Sequence, residues 1–100
     1  MFRIEKLIKH DKYVEDLCLR LEPRYDFLVK NVPLYSRRRR LVAEIDLMAF
    51  DGGACDIFEV KCSYRISKAK RQLRKIRKVV TRKIRNSFFF CGESGMLIHV

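Results

Sequence analysis

A short pattern of charged residues inside two apolar segments constrains this chain more than any other feature. Glu44 and Asp46 lie in the first segment, and Glu59 and Lys61 lie in the second. The intervening Asp51-Gly-Gly sequence predicts a β-hairpin turn. Because side chains alternate between the faces of a strand, the two residues of each pair are expected to share a face. The hairpin can then set the two pairs side by side.

The residue types in this pattern indicate chemistry as well as structure. Two carboxylates and an ammonium on apolar strands are costly to bury for structural reasons alone. They suit a site that holds a divalent cation and a reacting phosphate, with Asp46 and Glu59 as oxygen ligands. The alternative at this point is a cross-strand salt bridge among Glu44, Glu59 and Lys61 on a solvent-facing sheet.

Composition limits the size and the class of the protein. A chain of 100 residues, 48% of them hydrophobic, predicts a single domain over residues 1–100. The net charge of +11 suits a polyanionic partner such as nucleic acid. The sequence has no apolar run long enough to cross a bilayer and no secretory signal, so we expect a cytoplasmic protein without membrane association.

The cysteines give no sign of a metal site. They are scattered without a C-x-x-C pair, and the two histidines add no zinc-like spacing. Apolar neighbours predict that Cys18 and Cys55 are buried thiols, and a disulfide framework is not expected in an intracellular chain.

Periodicity and turn residues predict the element order α-β-β-β-α-β-β. Asp11 is expected to cap a first helix that runs to about Leu21 and ends at Pro23, with the preceding apolar residues either extending it or packing separately. Apolar residues from Ile66 to Ile84 recur at three- and four-residue steps and predict a long second helix. The predicted strands are 25–32, 41–50, 54–62, 87–91 and 96–100. Pro33 is expected to end the first of these strands or to place it at an edge of the sheet. The strands before and after the second helix should be parallel, which predicts an α/β fold with a mixed sheet.

This order, with Asp46 followed after twelve residues by Glu59-Val-Lys61, resembles the PD-(D/E)XK nuclease superfamily. The resemblance covers nearly the whole chain. It is closest in appearance to the small archaeal Holliday-junction resolvases and to related minimal nucleases of archaeal viruses and mobile elements. The sequence departs from the motif at Ile45, which stands where many members have proline.

The resemblance implies a restriction-endonuclease-like αβββαβ core, a mixed central sheet flanked by helices, and an endonuclease that uses Mg²⁺ or Mn²⁺. It implies that the backbone carbonyl of Val60 and the carboxylate of Glu15 join Asp46 and Glu59 around the metal. Lys61 would orient the attacking water and help to deprotonate it. Glu15 could instead be a solvated acid favoured by the helix dipole.

Two further polar residues are candidates for supporting roles. Gln72 on the second helix resembles a supporting position near the active site of the superfamily, and it could equally be an ordinary boundary residue. Glu44 could assist the metal or pair with a nearby arginine.

Basic residues predict how a nucleic acid would bind. A solvated helix face usually mixes charge signs, whereas no acid lies between Ile66 and Asn86, which favours phosphate contacts. The residues expected to bind nucleic acid are Arg37, Arg38, Arg39, Arg40, Lys68, Lys70, Arg71, Arg74, Lys75 and Lys78.

The sequence therefore predicts a metal-dependent DNA endonuclease, with branched DNA as a candidate substrate and roles in recombination or repair. A resolvase must cut two strands, so we expect a homodimer. Its surface would come from 96–100 or from Phe2, Ile4, Leu7 and Ile8. No small-molecule cofactor is expected. The alternative is a non-catalytic nucleic-acid-binding protein on the same fold, and RNA cleavage or an exonuclease role stays open.

Overall fold

Two helices pack on opposite faces of one five-stranded sheet. The computed structural model describes the backbone of residues 2–100 and the side chains of residues 4–100. The elements are α1 (Phe2–Leu21), a 3-10 turn (Glu22–Arg24), β1 (Phe27–Tyr35), β2 (Leu41–Asp51), β3 (Ala54–Lys61), α2 (Ile66–Val79), β4 (Asn86–Cys91) and β5 (Met96–His99). The predicted order of elements and the α/β class with a mixed sheet are confirmed.

The strands follow the chain across the sheet in the order β1-β2-β3-β4-β5. Strands β3 and β4, which flank α2, are parallel, and the other neighbouring pairs are antiparallel. The predicted parallel pair is therefore confirmed. Because β2 and β3 run in opposite directions, the start of β2, the end of β3 and the start of α2 lie at one end of the sheet.

The β2–β3 hairpin closes through the predicted glycines. Gly52 and Gly53 have φ values of +54° and +93°, and Asp51 pairs with Ala54 on either side of them. Positive φ at both central positions is the requirement of a two-residue hairpin turn, and glycine meets it without steric cost. The Gly52 N–H also donates a hydrogen bond to Asp26 Oδ2, at 2.7 Å.

The core is divided between the two faces of the sheet. Residues from α1 pack with Phe58 and Val60 of β3, whereas residues from α2 pack with Cys55 and Ile57 of the same strand. The alternation along β3 therefore supplies both helices with apolar partners. The main helix contributions are Val14, Leu17 and Leu21 from α1 and Ala69, Leu73 and Ile76 from α2.

The first helix begins earlier than the sequence predicts. Asp11 lies in the middle of α1, so its predicted role as the N-cap is wrong. The helix contains neither glycine nor proline between Phe2 and Leu21, and its packed second half can propagate toward the N-terminus. Ile4, Leu7 and Ile8 extend the helix as exposed residues, while the side chain of Phe2 lies outside the described residues.

The second helix ends earlier than predicted, at Val79 and not near Ile84. Three successive β-branched residues, 79–81, disfavour its continuation, and Val80 is already extended at φ −71° and ψ 126°. Ile84 is nevertheless buried in the core on the α2 side, which explains why it fitted the apolar pattern. Among residues 2–100, no helix is long and apolar enough to span a membrane.

Strand β1 starts and ends later than predicted, and it continues through Pro33. It is an edge strand, as the proline allowed, and proline is tolerated at an edge because alternate N–H groups have no partner there. Strands β4 and β5 match their predicted positions to within one residue at each end.

All four cysteines are free thiols. Cys55 is fully buried, as predicted, while Cys18 is only half-buried against the α1-side core.

A buried carboxylate joins three segments at the hairpin end of the sheet. Asp56 is 2% exposed, and its carboxylate accepts four hydrogen bonds. The Tyr25 hydroxyl donates at 2.6 Å and the Asn86 N–H at 3.0 Å. Arg85 donates two more, from Nε at 3.0 Å and from Nη2 at 2.9 Å. Burial opposes ionisation of Asp56, but the bonds from Arg85 and Tyr25 outweigh it and lower its pKa. The carboxylate thus ties the start of β1 and the start of β4 to β3.

We predict that Asp56→Asn destabilises the protein by about 2–4 kcal/mol, because it removes acceptors from a buried network. Urea unfolding at neutral pH measures the change. Asp51→Asn is the control, since Asp51 is half-exposed and also faces Arg85, and its loss should cost less than about 1 kcal/mol. Equal effects of the two substitutions would contradict a special role for Asp56.

Because the pKa of Asp56 is lowered, its contribution to the free energy of unfolding should fade only as the pH falls through that lowered value.

Candidate active site

Strands β2 and β3 separate at Asp46, and the aspartate side chain fills the gap. The paired register of the two strands runs from Asp51 and Ala54 to Leu47 and Phe58. Beyond the Leu47–Phe58 pair the regular pairing stops, and Asp46 Oδ2 accepts a hydrogen bond from the Val60 N–H at 2.8 Å. A buried backbone donor needs a partner, and here a carboxylate takes the place of a strand carbonyl. This bond fixes Asp46 beside the backbone of Val60.

The alternation of faces along β2 breaks at the same point. Ile45 packs in the α2-side core, whereas Leu47 packs in the α1-side core. On β1, Lys30 pairs with Leu47 and Val32 pairs with Ile45. Asn31, between them, has a φ of +53°. Asparagine is one of the few non-glycine residues that adopt this conformation readily. The strict alternation of faces that the sequence predicted for this segment is therefore interrupted between Ile45 and Leu47, at Asp46.

Glu59 and Lys61 form the predicted pair on β3. Lys61 Nζ lies 3.2 Å from Glu59 Oε2, and Glu59 is only 4% exposed. Burial and the charge of Asp46 raise the pKa of Glu59 to about 7, although Lys61 and His10 act in the opposite direction. The pair is therefore not the solvent-facing salt bridge that the sequence left open, and Glu44, which is exposed, takes no part in it.

The sequence reasoning missed His10, the residue that α1 brings to the site. His10 Nε2 lies 3.0 Å from the Val60 carbonyl oxygen and 3.4 Å from Asp46 Oδ2. The hydrogen bond to Asp46 raises the pKa of His10 to about 9 against the effect of burial, so the ring is a cation at neutral pH. His10 lies one turn before Val14 on the buried stripe of α1, and this spacing was a signal for its position.

Glu15 occupies a different place from the one that the resemblance implied. Its carboxylate pairs with Lys30 on β1, and both side chains are about half-exposed. Among the described residues, its hydrogen bonds and ion pairs do not reach Asp46 or Glu59. A metal-binding role for Glu15 stays a prediction, and His10 is the α1 side chain that contacts Asp46.

Gln72 and Glu44 line one small cavity of about 80 Å³ between α2 and β2. Gln72 Oε1 is buried and is the one buried side-chain N or O atom among the described residues that lacks a hydrogen-bond partner. A buried acceptor without a donor is costly and is common at functional sites. The cavity places the two predicted supporting residues next to each other.

The predicted nucleic-acid contacts are all exposed. Arg37, Arg38, Arg39 and Arg40 lie in the turn before β2, at the end of the sheet where β3 ends. Helix α2 has seven exposed cations and no acid. They are Lys68, Lys70, Arg71, Arg74, Lys75, Arg77 and Lys78.

Whether a metal ion fits the site depends on its oxygen atoms. Among the described residues, no group of three or more His, Cys, Asp or Glu side chains is arranged to hold a metal ion. The Asp46 carboxylate and the Val60 carbonyl nevertheless converge on one cationic nitrogen, that of His10, and Glu59 is buried close enough to feel the Asp46 charge. These hard oxygen donors fit Mg²⁺ or Mn²⁺. The site therefore offers two carboxylates and a backbone carbonyl, with side-chain cations now balancing the charge.

Comparison with known proteins gives no identification. No protein-family model matches the sequence, and a search of curated proteins finds no match. The case for any function therefore depends on the geometry of the chain.

We predict that Glu59→Gln stabilises the metal-free protein at alkaline pH. The folded state raises the pKa of Glu59 from 4.5 to about 7, so it holds this proton more tightly than the unfolded state does. Stability should fall as the pH rises through that interval, and the substitution should remove this loss. The expected gain is on the order of 1–3 kcal/mol above pH ~7 and vanishes below pH ~4.5.

Thermal unfolding in EDTA across this pH range measures the effect. Glu44→Gln, an exposed carboxylate on the neighbouring strand, is the control and should leave the profile of stability against pH unchanged. A gain that does not depend on pH would contradict the assignment of the loss to Glu59.

Proposed function

We propose that this protein is a metal-dependent DNA endonuclease with a PD-(D/E)XK-like nuclease core. The observation that carries the proposal is the strand separation at Asp46. There the Asp46 carboxylate, 7% exposed, accepts the Val60 N–H, and His10 contacts both Asp46 and the Val60 carbonyl. On either side of Val60, Glu59, 4% exposed, pairs with Lys61. A buried carboxylate such as Glu59, whose ionisation is opposed by burial and by a second carboxylate, is a poor structural element and a good cation ligand.

Asp46, Glu59 and the carbonyl of Val60 would hold Mg²⁺ or Mn²⁺. The ion, when bound, would polarise a phosphoryl oxygen and stabilise the negative charge that develops on the reacting phosphate. The Val60 N–H keeps Asp46 from rotating away. The buried Val60 side chain in the α1-side core holds the carbonyl in place. The chain thus fixes the oxygen donors before any ion arrives.

Lys61 supplies a positive charge at the edge of the site. Its ammonium group is anchored by Glu59 at 3.2 Å and remains partly exposed, so it can reach a phosphate or a water molecule at the surface. In this position it orients the attacking water and offsets charge that grows on the phosphate. Neutralisation of the Glu59 charge by a bound cation would loosen its hold on Lys61.

His10 sets a condition for loading of the site. His10 and a divalent cation would compete for the same two oxygen atoms, those of the Asp46 carboxylate and the Val60 carbonyl. A cation can therefore reach them only when His10 swings away. His10 lies in the first half of α1, where the neighbours Leu7 and Ile8 are exposed and little packing restrains the helix.

The positive surface accounts for the choice of a polyanionic substrate. Exposed arginines 37–40 and the N-terminal cations of α2 lie at the same end of the sheet as Lys61, the last residue of β3. Backbone contacts of this kind bind DNA through its phosphates and without reading base edges. Selectivity for branched DNA would then come from the shape of the substrate.

Cutting a four-way junction symmetrically requires two active sites, so the proposal includes a homodimer. Ile4, Leu7 and Ile8 form an exposed apolar stripe on α1, and Met96 is half-exposed on the edge strand β5. Exposed apolar groups of this kind are common at interfaces.

We predict metal-dependent cleavage that Asp46→Asn, Glu59→Gln and Lys61→Met each reduce by about 100-fold or more, because each removes a group that acts on the reacting phosphate. Labelled four-way junctions, flaps, single strands, linear duplexes and RNA would be incubated with Mg²⁺, Mn²⁺ or EDTA. Paired nicks confined to the junction would support structure selectivity.

Asp51→Asn is the matched control for this experiment. It removes a carboxylate of the same hairpin that lies outside the site, and it should cleave like the unmodified protein. Cleavage that persists in EDTA, or that survives all three site substitutions, would contradict the proposal.

A second candidate function is non-catalytic binding of nucleic acid. The specific observation that favours it is the protonated His10, which already balances Asp46, together with the lack of a three-side-chain metal group among the described residues. Salt-sensitive binding of the substrates without cleavage under any metal would select this candidate.

A further inference from the structure

A basic pocket with one aromatic wall lies next to the candidate active site. It has a volume of about 430 Å³ and connects the end of β3 to the first turn of α2. Its lining contains three cations, one aromatic ring and no acid. The lining residues are Tyr64, Arg65, Ile66, Ser67, Lys68 and Arg71.

Phe89 connects the pocket to the candidate active site, because it lies beside Glu59 and also contacts Tyr64. Phe89 on β4 is paired with Glu59 in the parallel register, and it is fully buried. The Tyr64 and Phe89 rings form a T-shaped pair, with the ring centres 5.7 Å apart and the planes at 75°. Tyr64 is therefore held against the residue beside Glu59.

Tyr64 combines this fixed position with exposure. The side chain is 56% exposed although its ring contacts the core. A T-shaped contact with one ring can cover at most one flat face of the tyrosine, and the exposure of Tyr64 leaves the other face accessible. A flat, anchored and accessible aromatic ring is the feature on which nucleobases stack.

Among residues whose side chains the structure describes, Arg65, Lys68 and Arg71 form no ion pair with an acid. The charges of Arg65 and Lys61, followed by those of Arg71 and Lys6, lower the pKa of Lys68. Like charges so close together repel, and an anion that binds among them relieves this repulsion. Lys61 belongs to the candidate active site, so the pocket and the site share one positive field.

We propose that this pocket binds one unpaired nucleotide of a DNA strand, with the base stacked on Tyr64 and the adjoining phosphates held by Lys68, Arg65 and Arg71. This inference rests on the proposed function only in placing the strand next to the nuclease site. An aromatic face suits a base that has left its duplex, because a base inside a duplex is stacked on both faces by its neighbours. The pocket would direct cleavage to phosphates beside unpaired nucleotides, as at flaps and branch points.

The test measures binding in EDTA, so that cleavage plays no part. The probes are a short fluorescent oligothymidylate and an abasic strand of equal length and charge, and the readout is fluorescence anisotropy. We expect Tyr64→Ala to weaken binding of the oligothymidylate by about 5- to 100-fold, in line with the stacking of one base. Binding of the abasic strand should be unchanged, and Tyr64→Phe should retain full binding of both.

Two control substitutions separate stacking from charge. Tyr35→Ala removes a tyrosine of matching exposure, 59%, at the end of β1 and should leave the preference for the thymidylate strand intact. Lys68→Ala should weaken both strands by similar factors, because it acts on phosphates. Comparison of two probes on the same variant also corrects for partial unfolding, which would lower the binding of both strands together.

The outcomes distinguish this inference from the nuclease proposal. If Tyr64→Ala weakens both strands equally or neither strand, the stacking pocket is wrong, whatever the cleavage assays show. If the expected loss occurs in a protein that cuts nothing, the pocket stands and the nuclease proposal fails. Failure of the unmodified protein to bind either strand at low salt overturns the pocket and the nucleic-acid function together.

Discussion

The hydrogen bond between the Asp46 carboxylate and the Val60 N–H is the interaction on which the site depends. It satisfies a buried backbone donor at the point where β2 and β3 stop pairing, and so it permits the two strands to separate inside a packed sheet. The separation exposes the Val60 carbonyl to His10 and leaves room for two carboxylates. Without that bond, continued pairing of the strands would leave no place for the site.

Charge balance at this separation explains the arrangement of the neighbouring residues. Two buried carboxylates face two side-chain cations, His10 and Lys61, which hold them at 3.4 and 3.2 Å. The balance is incomplete, because burial and Asp46 still raise the pKa of Glu59 to about 7. A divalent cation would supply the missing positive charge and replace His10 at Asp46. The fold thus bears an electrostatic cost that a bound cation would relieve.

The sequence predicted the elements with clear local signals and missed the features that arise from tertiary contacts. The glycines of the hairpin, the alternation of Glu59 and Lys61 and the parallel strands around α2 follow from turn chemistry and periodicity. The β-branched residues 79–81 were a local signal for the early end of α2, but the apolar periodicity that runs on to Ile84 obscured it. The position of Asp11 within α1 depends on packing that a capping preference does not reveal. His10 could have been found from its spacing to Val14, but its contact with Asp46 depends on where the strands separate. That separation carries no local sequence signal, and an asparagine such as Asn31 permits a positive φ without predicting one.

The central claim is that Asp46, Glu59 and Val60 together bind a divalent cation. Substoichiometric Mn²⁺ added to the ¹⁵N-labelled protein tests it most directly, because the paramagnetic ion broadens the amide signals nearest to it. We expect early broadening at Val60 and its neighbours on β2 and β3, with loss of the effect in a variant that carries Asp46→Asn and Glu59→Gln together. Broadening confined to exposed carboxylates such as Asp51 and Glu93, or unchanged in that variant, would contradict it.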